Sequence, residues 1–188
     1  MAAVMMGFSI SLDGCIASVD REDAGLHDWL FAGDTPVAVA GTEFKTDSEH
    51  SARVFREVVE ALGAVIVGRT AFGDGSEPFF DLPTFVLTHR APPTTTNDKV
   101  SYVSGGIERA LELATAAANG KQVNIFGGAT TAQQFLAAGL VDELRLTVVP
   151  ILLGDGLRLF GPDSARRVAE IVGIVAAPTV THMHLRLK

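Results

Sequence analysis

Three short stretches place glycine, hydroxyl and guanidinium groups at the ends of apolar runs, a chemistry suited to holding a phosphorylated ligand. The run Gln122-Val-Asn-Ile-Phe126 stops at Gly127-Gly128, after which Ala129, Thr130 and Thr131 open an amphipathic stretch. Adjacent glycines at a strand-to-helix junction let backbone approach a ligand with no Cβ in the way. The helix behind them presents free N–H groups and the positive end of its dipole, which favours phosphate. A glycine pair often marks only a tight connection, so its weight depends on its company. Val65-Ile-Val67 stops at Gly68 and supplies Arg69, followed by Thr70 and Ala71. Phe85-Val-Leu87 stops at Thr88, His89 and Arg90. Ligands of α/β sheets sit beyond the carboxyl ends of the strands, so three such ends can converge on one extended anion. Arginine suits this task because its planar fork makes paired, charge-assisted hydrogen bonds. Any one of these arginines alone would ordinarily be a solvated loop residue.

Other reactive side chains are more ambiguous. Asp13, in Leu12-Asp13-Gly14, either shapes its loop by bonding nearby backbone or donates a proton to a substrate, and loop-shaping is the commoner role. Glu49 and Glu57 fall on a helical stretch, where an exposed carboxylate is the ordinary reading. Trp29 and Phe31, with Phe55 of that helix, could floor a site for a flat heterocycle or simply fill the core. His182 and His184 share one face of a strand, a spacing open to metal, but no third ligand has an identifiable place beside them and no metal site is expected. Cys15 has no visible partner base and reads as a small buried residue.

The elements that must position these groups alternate short apolar runs with helical stretches, the rhythm of α/β architecture. Val4–Ser11, Ala64–Val67, Thr84–Leu87, Val100–Val103 and Val123–Phe126 read as strands. Ser51–Leu62, with Ser51 as cap, Ile107–Ala118 and Thr131–Ala138 read as helices. Residues 18–50 read as irregular around a short element at His27–Phe31. Glu143–Val149, Val168–Val175 and Val180–Leu187 read as further strands, the last two joined through Ala176-Ala177-Pro178. A largely parallel sheet should therefore finish with antiparallel strands. The chain has 188 residues, 47% of them hydrophobic and 20% charged, a folded composition for which one domain spanning 1–188 is expected. Fifteen Lys+Arg against 22 Asp+Glu give a net charge of −7, which argues against broad binding to nucleic acid or acidic membranes. No apolar run reaches the ~18–20 residues that span a bilayer, so a cytoplasmic protein is expected.

In order and spacing, these segments resemble the dihydrofolate reductase-like superfamily, in particular the branch of the RibD C-terminal, riboflavin-biosynthesis reductase domain. The resemblance runs through Gly7–Gly14, Val65–Phe72, Thr84–Arg90, Asn124–Leu136 and Val141–Phe160, the last containing Asp142-Glu143-Leu144 and Pro150-Ile-Leu-Leu-Gly154. It implies a three-layer fold, NADPH as cofactor, and hydride transfer to a flat nitrogen heterocycle, ribosylaminopyrimidine-like or pterin-like. Carried over by position, it sets Arg69, Thr88, His89 and Arg90 around the adenosine 2′-phosphate. Gly68, Thr70, Ala71 and the start of the Thr130 helix would lie near the pyrophosphate. Phe126 and Gly127-Gly128 would sit beside the nicotinamide, with the glycines often joined by a cis peptide in relatives. The Leu12–Ala17 loop would cover the nicotinamide ribose. The substrate side would fall to Trp29, Glu49 and Phe55, with Asp13 the family-matched carboxylate. A homodimer through the C-terminal strands and Val148–Leu153 is also implied. Two positions depart from the RibD pattern: Gly7 stands where a Lys is usual, and Phe126 where a Glu precedes the glycine pair. A nucleotide- or flavin-binding protein without efficient turnover is the alternative.

Overall fold

The computed structural model describes residues 3–20, 24–73, 77–90, 97–161 and 166–188. Its first strands are β1 (Val4–Ser11), β2 (Cys15–Ser18), β3 (Thr35–Val39), β4 (Thr42–Thr46), β5 (Leu62–Gly68) and β6 (Thr84–Leu87). They are followed by β7 (Val100–Val103), β8 (Gln122–Gly127), β9 (Glu143–Val149), β10 (Gly156–Arg158), β11 (Ala169–Ala176) and β12 (Thr181–Leu187). The helices are α1 (Asp28–Phe31), α2 (Glu49–Ala61), α3 (Arg69–Phe72), α4 (Gly106–Ala117) and α5 (Ala129–Ala137).

Eight strands form one sheet in the order β11-β12-β9-β1-β8-β5-β6-β7. From β9 to β7 all neighbours run parallel, whereas β12 is antiparallel to β9 and β11 to β12. The sequence explains the difference. β5 is apolar at nearly every position and buried on both faces, as a central parallel strand must be. β11 is largely exposed and closes the sheet as its edge. One face is covered by α4 and α5, whose Ala110, Ala114, Ala132 and Phe135 pack with Met6, Ile66 and Ile125. The other is covered by α1, α2 and the β3–β4 hairpin, through Trp29, Val37, Ala52, Phe55 and Val59. The result is the three-layer dihydrofolate reductase-like arrangement.

Three local expectations need correction. α2 begins at Glu49, and its cap is Ser48, whose Oγ accepts from the Ser51 N–H at 3.3 Å; Ser51 is instead fully buried. Residues expected to be irregular contain the β3–β4 hairpin, which turns at Ala40-Gly41 with φ of 48° and 77°. Cys15, Ile16 and Ala17, expected within the Leu12–Ala17 loop, belong to β2, which is only four residues long, pairs antiparallel with β10 and falls below what periodicity can detect.

Candidate functional site

The three phosphate-type junctions stand side by side at the carboxyl edge of the sheet. Val67 of β5 pairs with Gly127 of β8, and Gly68 of β5 with Leu87 of β6. Gly68 caps α3 and Gly128 caps α5, and neither helix start has a side-chain cap. The first hydrogen bond at the start of α5 runs from the Ala132 N–H to the Gly128 carbonyl at 3.0 Å. The N–H groups of Ala129, Thr130 and Thr131 therefore have no acceptor within the helix. The glycines also serve packing: a Cβ on Gly68 would come within 2.5 Å of Thr131 Oγ1, and one on Gly127 within 3.2 Å of Ala71 Cβ. The Gly127–Gly128 bond is trans, contrary to the cis join the resemblance implied. The turn is made instead by Gly128 at φ +83°, a region that disfavours a side chain.

Beside this helix start lies a cavity of about 750 Å³. Its aromatic wall runs from Trp29 through Phe55 and Phe80 to Phe126, all lining it, with successive ring centroids 6.2, 6.0 and 5.8 Å apart. Phe79 packs behind Phe126 at 4.3 Å. Its floor is a polar face of the sheet, built by alternation: Gly7 and Ser9 of β1, Arg145 and Thr147 of β9, and His184 and His182 of β12. Ser9 accepts the Trp29 indole N–H at 3.0 Å. The His182 ring bridges Ser51 Oγ at 2.9 Å and Thr147 Oγ1 at 3.0 Å. Burial holds this imidazole down at about 4, against a weaker upward pull from Asp47. His184 Nε2 lies 2.9 Å from Glu143 Oε2. Both histidines thus face the cavity already engaged with other side chains.

Among the residues expected to contact cofactor, Thr70, Ala71, Phe126, Gly127, Gly128, Ala129 and Thr130 line the cavity. Gly68, Arg69, Thr88, His89, Arg90 and Thr131 lie outside that lining, at the neighbouring strand ends and helix starts. Arg69 sets its guanidinium 5.8 Å from the centre of the Tyr102 ring. Thr88 is buried, and its hydroxyl closes a turn by accepting the Arg90 N–H at 3.1 Å and donating to the Arg90 carbonyl. His89 and Arg90 are exposed.

On the substrate side, Trp29 and Phe55 reach the cavity, whereas Glu49 does not. Glu49 is exposed in the first turn of α2, where a carboxylate complements the helix dipole; Glu57, about two turns on, lines the cavity instead. Phe31 is 62% exposed against Phe44 and floors nothing. Asp13 also lies outside the lining. Its carboxylate accepts from the Ser11 hydroxyl at 2.6 Å and the Leu153 and Gly154 N–H groups at 3.1 and 2.7 Å, tying the β1–β2 loop to residues 153–154. These bonds, the Ser11 hydroxyl foremost, hold its carboxyl down at about 2, so at neutral pH it is an anion with no proton to give. Cys15 is fully buried beneath this loop. Sequence reading missed Arg145, Asn124 and Phe80. The alternation of Arg145 and Thr147 was visible, but only strand register sets them beside His182 and His184.

Residues 79–183 match the family model described as the RibD C-terminal domain. The chain belongs to the RibD C-terminal domain family. The uncharacterized Bacillus subtilis (strain 168) protein YwjB is 28% identical over 157 residues, covering 81% of this chain and 79% of its own. A solved structure from Shewanella sp. PV-4, provisionally named a riboflavin biosynthesis protein, is 25% identical with a TM-score of 0.72, covering 99% of both chains. The Thermotoga maritima deaminase/5-amino-6-(5-phosphoribosylamino)uracil reductase matches at TM-score 0.64 and 13% identity, the chain spanning 57% of its length. Acinetobacter baumannii RibD matches at 0.65 and 18%, over 58% of its length. These last two show the fold alone. Against the usual RibD pattern, Phe126 brings a ring where a carboxylate is usual, and Gly7 leaves its lysine place empty opposite Arg145.

Proposed function

We propose that this RibD-type domain is an NADPH-dependent reductase that delivers hydride to a flat nitrogen heterocycle, ribosylaminopyrimidine-like or pterin-like. The observation that carries the reading is the uncapped α5 start, with Gly127-Gly128, opening directly onto an aromatic-walled cavity. Backbone N–H groups of Ala129–Thr131 suit a pyrophosphate. Arg69, His89 and Arg90, farther along the same edge, suit an additional phosphate. Bound NADPH would supply the hydride and leave as NADP⁺. The chain's own part is to stack the acceptor on Trp29, Phe55, Phe80 and Phe126, fix its edge with the polar floor, and exclude water. Asp13, whose carboxylate is held ionised away from the cavity, is not the source of the balancing proton.

NADPH should bind at least about tenfold more tightly than NADH by calorimetry, and Arg69→Ala should narrow that gap. Equal affinities in the native protein would refute the proposed 2′-phosphate site. NADPH oxidation screened against dihydrofolate, oxidised flavins and the riboflavin-pathway aminopyrimidine tests the hydride step. Phe126 and Gly7 favour a second reading, a nucleotide- or flavin-binding protein without efficient turnover. Stoichiometric, acceptor-dependent oxidation of NADPH would exclude it. We further propose that the chain acts as a single-domain, cytoplasmic homodimer. No described helix is long and apolar enough to cross a membrane.

A further inference from the structure

One cation in the cavity floor has unfinished bonding. Gly7 of β1, Arg145 of β9, His184 of β12 and Gly173 of β11 form a single row across four neighbouring strands, and all four line the cavity. Residues paired across a sheet project to the same face. Arg145 and His184 therefore project between two positions that have no side chain. The space there is real: a Cβ on Gly173 would meet nothing within 4 Å, and one on Gly7 only ordinary contacts from 3.5 Å outward. His184 is engaged by Glu143, whose other oxygen lies 3.8 Å from Arg186. Arg145 is not so engaged. Its Nε is buried with no hydrogen-bond partner, and among the described residues its guanidinium enters no ion pair. Burial pushes it down from its usual value, with the Glu143 and Glu57 carboxylates opposing. A guanidinium keeps its proton in proteins, so the donors of Arg145 that face the cavity are left to water or to a ligand that displaces it.

We propose that Arg145 determines substrate specificity by taking an anionic substituent, carboxylate or phosphate, carried on the flat heterocycle. The planar guanidinium fork matches either group. The glycine gaps leave room for it beside the aromatic wall that holds the ring. Glu57 disfavours an anion on its own side and suits ring N–H donors. This deepens the reductase reading of the cavity, but the binding it predicts does not require NADPH.

Trp29 is the single tryptophan of the chain and lines the cavity, so its fluorescence reports occupancy directly. Two matched pairs serve as probes: pterin with pterin-6-carboxylate, and riboflavin with flavin mononucleotide. The first pair isolates a carboxylate and the second a phosphate. In the native protein at least one anionic member should bind about tenfold more tightly than its neutral partner. In Arg145→Gln that gap should close to within about twofold, while Arg145→Lys, which keeps the charge without the fork, should retain part of it. The circular dichroism spectrum and urea midpoint of Arg145→Gln, compared with those of the native protein, show whether the variant is folded. No gap in either pair, a gap that survives Arg145→Gln, or no quenching by any probe would overturn the proposal. A gap that is absent from the native protein, or that persists in Arg145→Gln, while NADPH preference is intact defeats the Arg145 role alone; a native gap that closes in Arg145→Gln without any NADPH binding defeats the reductase reading alone.

Discussion

His182 is 5% exposed, wedged between α2 and β9 with the Trp29 ring edge-on at 5.0 Å. Its folded value of about 4 lies below its ordinary 6.5, so folding favours the neutral ring. That stability is fully present above about pH 6.5 and is lost as pH falls through 4. Between pH 7 and 5 the loss should be about 2 kcal/mol, read from urea midpoints. His182→Gln should be less stable at pH 7 but flatter over this window; an unchanged slope would show that other groups dominate. The pairing of His182 with His184 on one face was legible from their spacing. Their partners Ser51, Thr147 and Glu143 lie far away in sequence, so no local pattern names them.

At the scale of elements, the β3–β4 hairpin contains an avoidable strain. A two-residue turn matching strand twist needs positive φ at both positions, and Ala40 adopts +48° before Gly41. A Cβ in that region costs about 1–2 kcal/mol, which Asn tolerates better. Ala40→Asn, at an exposed position, should therefore raise unfolding stability by about 1 kcal/mol in chemical denaturation. This hairpin was hidden because Ala-Gly is a weak turn signal and its strands are short. The long apolar strands were legible to within a residue or two, since burial on both faces demands continuous Val, Ile and Leu. Ser51 was misread as a cap because a buried serine and a capping serine look alike until the helix start is fixed.

For the whole molecule, the edge strand β11 exposes Ile171 and Ile174 at 62% and 52%. An open edge with apolar side chains invites pairing with a second copy, which supports the proposed homodimer. Ile174→Lys should shift the mass in light scattering from dimer to monomer at micromolar concentration without lowering helix and strand content by circular dichroism. A native monomer under those conditions would refute the proposed contact.

The sequence by itself determined the types of the longer elements of the main sheet and its helices, the parallel-to-antiparallel change and the three glycine- and cation-bearing strand ends, because each follows from periodicity or from residues adjacent in the chain. Tertiary structure alone decided that Glu57 rather than Glu49 reaches the cavity and that Arg145 lies in a row between Gly7 and Gly173. Those outcomes depend on helix rotation and strand register, which are set by packing between segments more than a hundred residues apart in the extreme case of Gly7 and Arg145. Local propensity carries no information about such pairings.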